Sequence, residues 1–177
     1  MEHLTKKAYA ENITAAKYYL SLAKGSDEGK RWNCISVVVY SAFCVEAFIN
    51  HVGEAVEGSK WVEWDKENHP NPDQKIERLR ITLTTELASK FTELFQLRNM
   101  VAHGRTVIIK KNIRKPQNNV NGAMSKFASE FESRTTLKKS QELYESARDI
   151  VTVINKATVN IGNAKLWGLG GGSLRTS

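Results

Sequence analysis

Apolar positions recur every three to four residues over most of the chain, the spacing that gives an α-helix one buried face. From about Thr5 to Lys24 the stripe is Tyr9, Ile13, Ala16 and Leu20, and Gly25-Ser26-Asp27-Glu28-Gly29 interrupts it. From about Lys30 to Val56 the pattern is densest, and Ile35, Val38, Val39, Ala42, Phe43, Val45, Ile49 and Val52 predict the central core helix. The run Val37-Val38-Val39 has strand propensity, but the length of the segment and its later periodicity predict helix. Glu57 to Asp73, with Gly58, Trp61, Trp64, His69, Pro70 and Pro72, shows no helical period, which predicts a long connection whose tryptophans pack on the bundle. Asp73 is the expected N-cap of a short helix through Leu83 that uses Ile76, Leu79 and Arg80, and Thr84 or Thr85 caps the helix after it.

That next helix carries Leu87, Phe91, Leu94, Arg98 and Val101 on one stripe, so a permanent cation stands where the pattern reserves a place for a core side chain. Beyond it, Thr106 to Ile113 has a strand-like composition and Pro116 to Gly122 reads as a turn, together a small hairpin. Helix returns weakly at Ala123 to Phe131 and strongly from Leu137 to about Val159, with Leu143, Ala147, Ile150, Val151, Ile154 and Ala157 inward. The glycine-rich stretch from Gly162 is expected to be disordered. The fold class is therefore all-α: an antiparallel four- to five-helix bundle in one domain, residues 1–161, with a long irregular or small hairpin insertion and a tail at 162–177.

Composition narrows the class. A chain of 177 residues with 41% apolar content can bury a proper core. No uninterrupted apolar run approaches the roughly 20 residues that cross a bilayer, and Met1 to Lys7 lacks a signal-peptide core. A cytoplasmic protein without membrane association is expected. Cys34 and Cys44, ten apart in one apolar segment, are expected as buried free thiols and have no metal-site spacing. His51 and His69 have no partners at ligand spacing.

Charge adds a direction. Between Leu94 and Ser129 there is no aspartate or glutamate, while Arg98, Arg105, Lys110, Lys111, Arg114, Lys115 and Lys126 supply seven cations. Against 26 basic and 19 acidic residues in all, those seven account for the whole net charge of +7. A polyanion approaching this segment would meet that field and release counterions on binding, so Arg105, Lys110, Lys111, Arg114 and Lys115 are candidate RNA contacts. Read by itself, the segment is equally well a solvated basic loop.

Candidate chemistry lies at the helix end, in Arg98-Asn99-Met100-Val101-Ala102-His103-Gly104. Gly104 suits the left-handed residue that closes a helix, which would leave His103 at its end. Histidine titrates near neutrality and suits proton transfer. Glu46 is a second charge on an apolar stripe, between Ala42 and Ile49, and a buried anion and a buried cation suggest each other. Glu46 is expected to pair with Arg98 across the helix interface, with Asn50 joining them; the pair either orients a catalytic arginine or only fixes helix register.

The spacing Arg98-Asn99-x-x-x-His103 resembles the motif of the HEPN superfamily, which carries an arginine and a histidine four to six residues apart, often with a polar residue after the arginine. The resemblance implies an all-helical, commonly homodimeric fold and a metal-independent endoribonuclease of toxin, phage-defence or RNA-processing type, without a cofactor. By the same resemblance Arg98 and His103 form the catalytic pair with Asn99 as an auxiliary. An antitoxin or a defence-system protein is a further partner it implies. HEPN toxins controlled by a nucleotidyltransferase antitoxin usually have a tyrosine two places after the histidine, where this chain has Arg105. The competing class is a noncatalytic HEPN module that dimerises and binds RNA, a nucleotide or a partner protein. A third reading is a structural adaptor in which His103 merely caps its helix.

Overall fold

A computed structural model describes residues 7–102 and 133–158. Among them are six helices and no strand: α1 (Ala8–Gly25), α2 (Lys30–Glu57), α3 (Ser59–Asn68), α4 (Pro72–Arg78), α5 (Thr85–Ala102) and α6 (Leu137–Thr158). The all-helical bundle is as expected, with one helix more than the pattern suggested. The proposed hairpin at 106–122, the weak helix at 123–131 and the tail at 162–177 lie outside the described residues.

The bundle is built round α2, which packs against every other helix. Its Val38, Val45, Phe48, Ile49 and Val52 are fully buried, and the β-branched run that looked strand-like is simply shared between neighbours. Val38 enters the main core while Val37 joins Ala16 and Leu20 of α1 and Tyr144 of α6. A stretch of α2 is long and apolar enough on average to cross a membrane, although Ser, Cys and Asn break up any continuous apolar run; more than half of that stretch is buried inside the bundle. From α5 come Phe91, Leu94, Phe95 and Leu97, and from α6 Leu143, Ala147, Ile150, Val151 and Ile154, whereas Ala157 stays exposed. A buried cross-link joins α6 to α2, where the Ser140 hydroxyl donates to the Cys34 carbonyl at 3.1 Å.

The long connection expected after α2 is instead mostly helix. Gly58, at φ 60° and ψ −135°, turns the chain sharply, and α3 then returns along α2. What holds α3 is tertiary rather than periodic: the Trp61 ring, 1% exposed, seats against the bare backbone of Gly53, and Trp64 packs beside it at 5.2 Å. A ten-residue helix anchored by one aromatic side chain leaves little apolar repeat in its sequence, which is why the pattern failed to show it.

The short helix α4 also begins earlier and ends sooner than expected. Its cap is Asn71, whose side chain accepts from the Gln74 backbone at 3.0 Å while the Gln74 side chain accepts from the Asn71 backbone at 2.8 Å. With Pro72 in the first helical position this reciprocal box outcompetes Asp73. At the other end Arg80 takes a left-handed φ of 54°, and the Ile81 amide reaches back to the Ile76 carbonyl at 3.2 Å, closing the helix before Leu83. Arg80 is exposed, not inward. Thr84 caps α5 as expected, its hydroxyl accepting from the Leu87 amide at 3.3 Å.

His51 is a packing residue, lying 5.3 Å from the Tyr9 ring and 6.3 Å from Phe48. Burial pushes its pKa below the ordinary 6.5, helped by Lys7 and opposed by Glu54. Since the unfolded chain then takes up the proton more readily, stability is full above about 6.5 and declines as pH falls below it. Chemical denaturation should show this loss as pH falls below about 6.5, and the slope should flatten in His51→Gln. An equal slope in both proteins would remove His51 from the account. The two thiols are free and buried, with Cys34 raised by burial and Cys44 pushed up to about 12 by the same cause.

Candidate functional site

Two helices bring Arg98 and Glu46 together. Arg98 stands on α5 one turn after Leu94, and Glu46 on α2 one turn before Ile49, so each charge is carried inward by the apolar stripe it interrupts. The Arg98 guanidinium donates from Nη2 to Glu46 Oε2 at 2.7 Å, the pairing expected from the sequence. Their side chains are 18% and 29% exposed, so the pair is partly shielded from water without being sealed. The guanidinium carbon lies 5.5 Å from the centre of the Phe95 ring, which fixes its plane from one side.

One donor of that guanidinium is left over. Arg98 Nε is buried with no hydrogen-bond partner. An unsatisfied buried donor costs about 1–3 kcal/mol, so the arginine is held here against part of its own solvation preference. An apolar residue of similar length would fill the position without that cost, and would fix register as well.

Asn50 does not join the pair. It lies one turn beyond Glu46, level with α4, and its Oδ1 accepts from Lys75 Nζ at 2.9 Å. Lys75, 4% exposed, also meets Asp65 of α3 at 2.6 Å. Nearby, Arg78 clasps the Glu57 carboxylate with two nitrogens and lies over the Trp64 ring at 4.3 Å. These contacts pin α3 and α4 to α2. No local pattern announces them, since a buried lysine's partners come from segments 10 and 25 residues away.

The other candidate residues divide into two groups. Asn99 is exposed on α5, a step of about 100° round the helix from Arg98. His103, Arg105, Lys110, Lys111, Arg114 and Lys115 lie outside the described residues. Three residues before His103, the Met100 sulfur accepts from Arg134 Nη1 at 4.0 Å. Glu93 on the same helix pairs with Lys139 at 2.7 Å and approaches Arg134 at 4.0 Å, and Lys90 pairs with Glu142. This polar seam between α5 and α6 was not foreseen. It lies about 100° round α5 from Leu94 and Arg98, and its side chains are partly exposed, where each such pair contributes little. Among the described residues no three His, Cys, Asp or Glu side chains gather as a metal set.

The arrangement can place one oriented guanidinium at the end of a helix, backed by a carboxylate. No family model, curated protein or solved structure matches the chain.

Proposed function

We propose that the chain is a metal-independent endoribonuclease of the HEPN type, of the kind found in toxin and phage-defence systems, which cleaves RNA at a cleft between two copies of itself. The observation that carries the reading is Arg98, drawn into a helix interface, paired with Glu46 and left with a buried donor unsatisfied, five residues before a histidine.

RNA needs little help to break. Its 2′-oxygen attacks the adjacent phosphorus, the bond from phosphorus to the 5′-oxygen breaks, and a 2′,3′-cyclic phosphate and a 5′-hydroxyl result. His103 would take the proton from the 2′-hydroxyl or give one to the leaving 5′-oxygen. Arg98 would meet the negative charge that grows on the phosphate oxygens, held in place by Glu46. Asn99 would assist at the same phosphate, and Arg105, Lys110, Lys111, Arg114 and Lys115 would hold the strand on either side. Five residues turn an α-helix through about 140°, so the arginine and histidine of one copy diverge. Two helix ends facing each other would supply both groups to one phosphate.

Incubation of the purified protein with total RNA in EDTA tests this. Cleavage leaving 2′,3′-cyclic ends, abolished by His103→Ala, is the expected result. Binding without cleavage would establish the noncatalytic module instead. That second reading draws on the same pair, because a guanidinium already committed to a carboxylate has fewer donors to offer a phosphate. An antitoxin or a defence-system protein remains the partner class for either reading.

A further inference from the structure

Among the described residues the central helix is not covered all round. On the side of α2 between α1 and the Glu46–Arg98 pair, Trp32 is 65% exposed and Phe43 40% exposed, with Ser36, Val39, Tyr40 and Ala47 half-buried between and beyond them. No charged residue occurs from Trp32 to Val45. The rings are held in place: Tyr40 stacks on Tyr19 of α1 at 5.5 Å and 10°, and meets Phe43 edge-on at 6.3 Å. Aromatic enrichment with charge depletion is the signature of the buried centre of a protein interface.

We propose that this face of α2 binds the same face of a second copy of the chain, antiparallel, about a two-fold axis between Val39 and Tyr40. The pattern of side-chain sizes selects that occupant. In this register Trp32 of one copy faces Ala47 of the other and Phe43 faces Ser36, so these two bulky side chains each meet a small one, while Val39 and Tyr40 flank the axis. Glu46 falls opposite Asn33, and no like charges meet. A symmetric interface must be self-complementary in this way. Trp32 to Ala47 spans about 22 Å of helix, a small footprint that places the dimer at the weak end of specific interfaces. Single-stranded RNA, which would also stack on exposed rings, fits less well: a strand needs cations along its path, and Arg31 at the margin already lies over Trp32 at 5.2 Å.

The inference rests on the two-copy reading of the site and locates its seam. Arg98 meets Glu46, while the start of α5 lies against α4 near the level of Asn50, so α5 runs back along α2 toward the axis. Its last residue, Ala102, comes one turn beyond Arg98 on the axis side of Glu46.

Sedimentation of the full chain across micromolar concentrations tests the face, with cleavage measured separately so that either reading can fail alone. Wild type should associate reversibly to a dimer, and Phe43→Glu should weaken association by about tenfold or more with its helical circular dichroism intact. Helices about 8–10 Å apart bring facing Cα atoms into disulfide range, so Val39→Cys should cross-link on oxidation. Cys34 and Cys44 are buried and would not compete. A wild-type protein that stays monomeric overturns the proposal. So does a dimer that survives Phe43→Glu and leaves Val39→Cys uncross-linked, or a monomer whose Trp32 fluorescence is quenched by an RNA oligonucleotide.

Discussion

Arg98→Ala is expected to lower the RNA cleavage rate by about a hundredfold or more, the usual loss when one preorganised donor to a developing oxyanion is removed. The substitution also leaves Glu46 without its partner. A fully buried carboxylate in that position would cost about 3–5 kcal/mol, but Glu46 is 29% exposed and water recovers part of its solvation. The discounted cost is about 1–2 kcal/mol, so the variant should still fold and the rate loss can be read on folded protein. Two companions separate orientation from register. Arg98→Lys keeps the charge and loses the planar fork, and its rate should fall nearly as far. Glu46→Gln keeps an acceptor for Nη2, and should fold normally while cleaving slowly. If Arg98→Ala and wild type degrade RNA alike, Arg98 has no part in the chemistry. If Glu46→Gln loses stability and rate in proportion, the pair serves only to align α2 and α5.

Gly53→Ala should destabilise the fold by about 3 kcal/mol, at the upper end of typical overpacking effects. Two effects oppose each other at this position. Alanine favours a helix interior over glycine by about 0.5–1 kcal/mol, which alone would stabilise α2. A Cβ at Gly53, however, would lie only 2.1 Å from two ring atoms of Trp61, whose side chain is 1% exposed and enclosed. The indole has no free end to swing aside, and its Nε1 is buried without a hydrogen-bond partner, so displacement gains no new bond at the start. The clash therefore outweighs the propensity. Thermal or urea denaturation measures the difference, and Trp61 fluorescence should shift toward the solvent-exposed spectrum. A more stable Gly53→Ala would mean that α3 does not pack where the structure puts it. In the double variant Gly53→Ala/Trp61→Leu much of the cost should disappear, because the smaller side chain leaves room for the methyl group.

The long helices could be read from the sequence because burial is written along them residue by residue. Tyr9, Ala16 and Leu20 on α1, and Leu143, Ala147, Ile150, Val151 and Ile154 on α6, are buried as their spacing indicates. The Glu46–Arg98 pair was legible for a related reason: a charge interrupting an apolar stripe must find an opposite charge on a neighbouring stripe, and few were on offer. What could not be read depends on contacts distant in sequence. Helix α3 owes its place to a tryptophan fitting a glycine in another helix, and Lys75 to Asp65 and Asn50. Phe43, which the pattern put in the core, is 40% exposed, since the stripe on α2 is wider than its neighbours cover. The assignment of His103 to catalysis comes from resemblance and spacing.

Because α2 touches all five other described helices while α3 and α4 make their principal contacts with it, no subset of the bundle keeps a core once α2 is lost. Cooperativity follows from that wiring. The amides of α2 should exchange with solvent only through global unfolding, so Glu46 and its arginine would share the lifetime of the whole native state. The same hub leaves evolution a narrow choice on this helix, since nearly every inward substitution in α2 is felt by several partners at once.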